Sequence, residues 1–546
     1  MLMNRCLSKI IATLLAALCV VAPSLAFAAQ SQEERSLNEM RNTMVNLLQA
    51  LVEKGTITRE QAAAMVKDAQ DKAAAAAEQA ARVDQEEANA VRVPYVPEMV
   101  KQEIRDEVSK DLKPQVVRDV LAAAHDEKWG VPGALPEWIS KVRITGDVRM
   151  REQSDLFASD NAQNAYLDFQ SVNAKGGIGK SGVAAFLNTI EDRLRMRARA
   201  RLGVEVQISP EVKAAIRASS GNLVDPVSTN QTLGNTGARY QFGIEQAYIR
   251  WDHRGARDYP WLTIQAGRTP NPWASTDLIW DGDLSFEGIA ATYRQGLSSA
   301  DPARRQVFVT LGGFPLQEVE LSSKDKWLLG AQLGVDWTFG GGTRLRFAGA
   351  IYDYRNISGQ RNAPDSTLLD FTAPQFLQKG NTLYDIRNDT DPSTNLFALA
   401  AGYRDIDVLA ALDVPLTGDI RLGFTADYVK NIGFHAADVL ARTGVAVAAR
   451  TRGYQTEFSV GHANAYRWGG WRAFAGYRYL ERDAVLDAFT DSDFHGGGTD
   501  AKGYFLGGDI GLADNTWLRL RYLTGNEIDG PPLGIDAWQV DVNAQF

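Results

Sequence analysis

"DRLRMRARARLGVEVQIS", residues 192–209, places Arg193, Arg195, Arg197, Arg199 and Arg201 on one parity and Leu194, Met196, Ala198, Ala200, Leu202, Val204, Val206 and Ile208 on the other. In a helix a step of two residues turns through ~200°, which would scatter the arginines around the axis. A strand, whose side chains alternate between faces, collects them on one side. The stretch therefore reads as a strand with one oily and one basic face.

The same period of two runs through the chain from Lys141 onward. Val142, Ile144, Gly146, Val148 and Met150 alternate with Arg143, Asp147, Arg149 and Arg151; Leu333, Val335 and Trp337 with Gln332 and Asp336; Leu345, Phe347 and Ile351 with Arg344 and Arg346. Residues 420–428, 471–479 and 518–522 repeat the pattern. Counting such runs predicts an all-β, antiparallel transmembrane barrel of about 16 strands (roughly 14–18), within the even-numbered range of outer-membrane barrels. Ser209-Pro210 and "GGGT" (340–343) are tight turns, whereas 152–190, 219–239 and 355–394 are long and polar, an asymmetry such barrels show between periplasmic turns and extracellular loops. Trp261, Trp327, Trp337, Phe339, Trp471, Trp517 and Trp538 fall near run ends, as interfacial girdles require. A secreted soluble β-protein would explain any one of these strands equally well, but not the last. "AWQVDVNAQF" alternates Trp538, Val540, Val542, Ala544 and Phe546 with Gln539, Asp541, Asn543 and Gln545, and a terminal amphipathic strand ending in an aromatic residue resembles the signal read by the barrel-assembly machinery.

The chain before the barrel is of another kind. Arg5 and Lys9, the apolar run from Ile10 to Val21 and Ala26-Phe27-Ala28 describe an export signal over 1–28. Cys6 and Cys19 are the only cysteines and both lie in that segment, so the exported chain carries neither disulfide nor thiolate metal site. Residues 29–129 read as a periplasmic helical or coiled-coil module: Leu37, Met40, Met44, Leu47, Leu48 and Leu51 recur at helical spacing, and Thr58-Arg59-Glu60-Gln61 forms a capping box. Residues 130–140 link it to the barrel, 141–546. The formal charge of −9, or −11 without Arg5 and Lys9, argues against a nucleic-acid partner.

"VRVPYVPEMVKQEIRDEV", "WGVPGALPEW", "DPVSTNQTLG", "QAYIRWD", "GRTPNPW", "STDLIWDGDLSFEG" and "LRYLTGNEIDGPP" together resemble the putative porin family of Gram-negative bacteria over nearly the whole exported chain. "LTIQAGRTPNPW" (262–273) is also similar to a strand and loop of phosphate-selective porins. The resemblance implies an outer-membrane porin admitting small hydrophilic solutes, with a periplasmic helical N-terminus and no cofactor; by analogy with general porins it also implies a homotrimer. Contact of the N-terminal module with peptidoglycan is a further expectation.

If the apolar parity faces lipid, the other lines the pore: Arg149, Arg151, Arg193, Arg195, Arg197, Arg199, Arg201, Arg217, Arg344, Arg346, Arg519 and Arg521. Acids on comparable positions are fewer, and such a wall favours anions unless acid pairs neutralise it. Residues 271–286, with Asp277, Asp281 and Asp283, are the candidate constriction loop. The other readings are a barrel-borne hydrolase and a structural envelope tether. The first lacks an H-E-x-x-H or G-x-S-x-G motif, and no metal or catalytic residues can be named for it. In "DSDFHGGGTD" (491–500), Lys502 stands where a calcium loop needs its bidentate glutamate, so a glycine-rich external loop is the better reading. "KGGIGKS" (175–181) matches a phosphate loop letter for letter, but no strand-to-helix context surrounds it, and its glycines read as giving flexibility to an external loop.

Overall fold

The computed structural model describes residues 140–546 apart from Ser299, Leu321 and Pro392, and before them only Ala64, Lys67 and Lys72, all helical. The signal segment 1–28, the module 29–129 and the linker 130–140 lie outside the described residues, those three and Ser140 excepted.

Sixteen long strands form one closed antiparallel barrel. In chain order they are β1 (Val142–Phe157), β2 (Arg193–Gln207), β3 (Val212–Ser220), β4 (Phe242–Arg254), β5 (Pro260–Pro270), β6 (Ser285–Gly296), β7 (Arg305–Gln317) and β8 (Lys326–Thr338). They continue with β9 (Arg344–Arg355), β10 (Arg404–Thr417), β11 (Ile420–Asn431), β12 (Arg452–His462), β13 (Trp471–Leu480), β14 (Ala501–Ala513), β15 (Thr516–Glu527) and β16 (Gly534–Gln545). The segment around 395–414 holds one barrel strand, β10, preceded by a short separate pair, Phe397–Leu399 on Leu383–Asp385.

Each strand pairs with its sequence neighbours, and β16 returns to β1 to leave no free edge. The seam ends on the terminal residue: Phe546 N–H donates to the Gly146 carbonyl at 2.9 Å, and Gly146 N–H donates to the Phe546 carbonyl at 3.0 Å. A Cβ on Gly146 would stand 2.4 Å from the Phe546 ring, so that ring lies flat on the glycine.

Burial is inverted relative to a water-soluble protein. Leu194 is 66%, Ile144 61% and Leu333 59% exposed, whereas Arg151, Asp509 and Asp541 on the opposite parity are each 1% exposed. The apolar faces therefore look outward. Trp261, Trp337, Phe339, Trp471 and Trp517 ring the end that carries the short turns, and Trp327 stands at the other end.

The long connections 158–192, 221–241, 271–284, 356–403, 432–451 and 481–500 all leave from one end of the barrel. Several fold inward. Leu278, Ile279, Trp280 and Leu284 of loop 271–284 pack with wall residues Phe286, Phe314 and Tyr352 and with Val485 and Leu486 of loop 481–500 in one apolar cluster.

The glycines of 175–181 are conformational rather than flexible. Helix α1 (Phe169–Lys175) ends on Gly176 at φ 79°, and Gly177 has φ 124° with Ser393 so close that a Cβ would lie 2.2 Å from its carbonyl oxygen. No buried parallel strand precedes the motif, every barrel pairing being antiparallel, and Lys175 and Lys180 are exposed.

Candidate functional site

Loop 271–284 is rooted between β5 and β6, yet it bonds to distant walls. Thr276 donates through its hydroxyl (2.6 Å) and amide (3.2 Å) to Asp427 on β11, and Ala274 exchanges two hydrogen bonds with the Gln332 side chain on β8 at 2.8 and 2.9 Å. At its other end Asp283 accepts from Arg201 (2.9 Å) and Arg199 (3.5 Å) on β2. A segment that touches β2, β8 and β11 on their inner parity must cross the lumen.

What it meets on β2 follows from register. Arg149 of β1 stands opposite Arg199, and Arg151 opposite Arg197. Like charges directly across a strand pair repel, so this quartet needs partners from elsewhere. Three loops supply them. Asp283 takes Arg199 and Arg201 and is itself held by the Thr229 amide (3.2 Å) and hydroxyl (2.9 Å). Asp493 of loop 481–500 accepts two bonds from Arg151 at 2.8 and 3.0 Å and also pairs with Arg521. Asn230 of loop 221–241 accepts from Arg149 at 2.5 Å. On the wall Arg151 also forks onto Asp541 at 2.7 and 2.9 Å.

The remaining arginines divide by partner. Arg195 pairs with Asp155, Arg199 with Asp147 (2.7 Å), Arg346 with Asp336 (2.5 Å) and Arg519 with Asp509 (2.6 Å), while Arg201 (2.5 Å) and Arg217 (2.8 Å) share Glu245. Arg149, Arg193, Arg197 and Arg344 make no ion pair among the described residues. Arg197 donates only to the neutral side chains of Gln153 (3.1 Å) and Ser228 (3.4 Å).

The loop acids differ sharply in charge state. Burial alone would raise the Asp283 carboxyl, but the guanidinia of Arg201, Arg199 and Arg149 outweigh it and hold the group well below the usual carboxylate range. Asp493 is partly buried, which would raise it, and is likewise pulled down by Arg151, Arg521 and Arg197. Asp281 is buried without a cation and is pushed well up, by desolvation and then by Asp283; its carboxylate accepts the amides of Asp283 (2.7 Å) and Ser492 (3.2 Å). Asp277 is exposed and lines a cavity of about 390 Å³ with Thr276, Arg346, Gln455 and Glu457. A second cavity, of about 350 Å³, is lined by Arg193, Arg195, Arg197, Gln153 and Asp155 on the wall and by Lys379 and Asp493 from loops. Cavities flanked by fixed charge thus lie against the inward loops.

Two partners escape sequence reading. Glu245 is the extra residue of a bulge opposite Arg217 and Ala218, where alternation fails and a side chain is re-aimed. Asp493, weighed from sequence only as a calcium ligand, belongs to a loop that folds into the lumen; the glycine-rich external reading of 491–500 is corrected accordingly, Asp491 also pairing with Arg478 at 3.0 Å.

No curated protein matches the chain. Among solved structures it is similar to OprB of Pseudomonas putida at high pH, with 12% identity over 77% of this chain and 97% of that one and a TM-score of 0.43. It is also similar to the outer membrane channel DcaP of Acinetobacter baumannii (11% identity, 74% and 97% covered, TM-score 0.39). Salmonella typhi OmpF in complex with daunomycin is similar at 11% identity, with 74% and 97% covered and a TM-score of 0.38. A family model described as putative porin matches residues 41–546, and with its closed barrel, outward apolar face and charged interior the chain belongs to that outer-membrane porin family.

Proposed function

We propose that this outer-membrane channel passes small hydrophilic solutes by passive diffusion and prefers anions. Its family is one of porins, channels without turnover chemistry. The observation that carries the preference is the quartet Arg149, Arg199, Arg151 and Arg197, of which Arg149 and Arg197 hydrogen-bond only to neutral side chains and make no ion pair among the described residues, Asp283 and Asp493 acting on them from farther away. A fixed cation beside a water-filled path attracts a passing anion and repels a cation. Elsewhere on the wall ion pairs leave dipoles, and Asp405, Asp407 and Asp427 face no cation within ion-pair distance among the described residues, so the preference is moderate. Asp283 and the arginines it faces set a transverse field that orients a polar solute without holding it.

Purified protein reconstituted in a planar bilayer tests the reading. Stepwise conductance with a zero-current potential of the sign for chloride over potassium is the expected result. Absence of steps refutes the channel reading, and a cation-selective potential refutes the arginine argument.

A further inference from the structure

A third cavity, of about 540 Å³, lies between the walls of β5–β8 and loops 221–241, 271–284, 356–403 and 481–500, and shares Asp225 and Phe376 with the arginine-lined cavity beside it. Its volume falls within the range of about 300–1,000 Å³ typical of small-molecule sites. Its walls are aromatic. Trp280, Phe286, Phe314, Phe376 and Phe489 line it, with the Trp280 and Phe286 rings 5.0 Å apart, Phe286 and Phe314 5.1 Å, and Trp280 and Phe489 5.9 Å.

Among these rings sits one uncompensated cation. Lys326 is 3% exposed, and its ammonium donates only to the carbonyls of Thr372 (3.1 Å) and Ala373 (3.0 Å). No carboxylate lies within ion-pair distance of it among the described residues. The other charged groups of the cavity are already engaged: Arg268 pairs with Glu287, and Asp225 accepts the Val227 amide at 3.0 Å. Burying an ammonium without a counter-charge is costly, and an ammonium has three protons to donate where two carbonyls are supplied.

We infer that this cavity binds an aromatic monocarboxylate, its ring against the wall formed by Trp280, Phe286 and Phe489 and its carboxylate on the Lys326 ammonium. The ligand supplies the missing counter-charge and a flat apolar body that suits the walls. This site depends neither on conductance nor on the arginine quartet, so it stands or falls separately from the channel reading.

Isothermal titration of the purified full chain in detergent with sodium phenylacetate tests it, with phenylacetamide and protein-free micelles as controls. Saturable phenylacetate binding is expected, at least tenfold tighter than that of the uncharged amide. Lys326→Met should weaken phenylacetate at least tenfold and leave phenylacetamide unchanged, while Lys326→Arg stays within a few fold of the parent. Heat-modifiable electrophoretic mobility establishes that each variant is a folded barrel. Absence of saturable binding, equal affinity for acid and amide, or unchanged affinity in folded Lys326→Met would each overturn the assignment.

Discussion

Asp283→Asn removes one negative charge from the lumen while leaving each neighbouring guanidinium a carboxylate: Arg199 keeps Asp147 at 2.7 Å, and Arg201 keeps Glu245 at 2.5 Å. The asparagine oxygen can still accept from the Thr229 amide and hydroxyl, so the loop stays anchored. The change is therefore chiefly electrostatic. A unit charge about 8 Å from a permeating ion in water is worth about 0.5 kcal/mol. Because it acts with opposite sign on chloride and potassium, the permeability ratio should move by about 1 kcal/mol, or roughly fivefold toward chloride. With a Debye length of about 10 Å at 0.1 M salt and 3 Å at 1 M, most of this effect should vanish at the higher concentration. Zero-current potentials across a planar bilayer under a tenfold KCl gradient, measured around both concentrations, read the ratio directly. A ratio that stays fixed or moves toward potassium in a folded, conducting variant would refute the placement of Asp283 in the ion path.

Arg197→Gln, which deletes a cation that has only neutral partners, should move the same ratio toward potassium by a similar factor and barely change the urea midpoint of the barrel. Arg151→Gln should behave differently, since it strips the buried Asp541 of its guanidinium and leaves Asp493 with Arg521 alone; a loss of about 3–5 kcal/mol in urea unfolding is expected. The protonation state of loop 481–500 gives a third test. Asp487 is pushed up to about 7 by burial, and Asp500 to about 7 by burial and Glu527, so between the unfolded value of 3.8 and 7 the folded loop binds more protons and its packing weakens as pH rises. Burial pushes Asp483 of the same loop up as well, and His495, held neutral well below its ordinary value of 6.5 by burial and Lys379, opposes these three acids alone. Asp283 and Asp493 titrate below this window and do not contribute. Amides of 483–500, corrected for intrinsic exchange, should thus be better protected at pH 5 than at pH 7, with a shallower dependence in Asp487→Asn. The opposite slope, or an unchanged one in the variant, would count against this account.

The barrel is legible from sequence because its environment is two-sided. A wall between lipid and water forces alternation at every strand, and long runs such as 192–209 leave only one period that fits. The seam is legible for the same reason, Phe546 completing the parity that starts at Trp538. What alternation cannot show is the path of the loops. Asp493 lies in a stretch of glycines and acids whose composition suits solvent as well as lumen, and only the Arg151 and Arg521 pairs distinguish the two. Glu245 is hidden by a bulge, and Asp155 lies beyond Arg151, where the sequence reading of that strand stops. Asp147, Asp283 and Asp541 are legible as acids near the ladder, but Glu245, Asp493 and Asp155 are not, and without them the wall looks more basic in sequence than it is in the fold.

The arginine ladder and the inward loops are one device. Left alone, β1 and β2 would set Arg149 against Arg199 and Arg151 against Arg197, an arrangement that repels. Asp283 and Asp493 relieve it from opposite sides, and in doing so draw two loops into the lumen. The pull is mutual, since each of these carboxylates is partly buried and would be costlier to ionise without the ladder. On the proposed reading the same contacts narrow the path and leave Arg149 and Arg197 as the ladder's cations without an ion-pair partner among the described residues. Narrowing and selectivity should change together: a variant that frees either loop widens the channel and also strips the counter-charge from the wall. Asp493→Asn is the sharper case, because Arg151 retains Asp541 while Arg521 loses its only carboxylate partner among the described residues. Larger single-channel conductance accompanied by a stronger chloride preference is the signature of coupling. A change in either alone would mean that ladder and loops act independently.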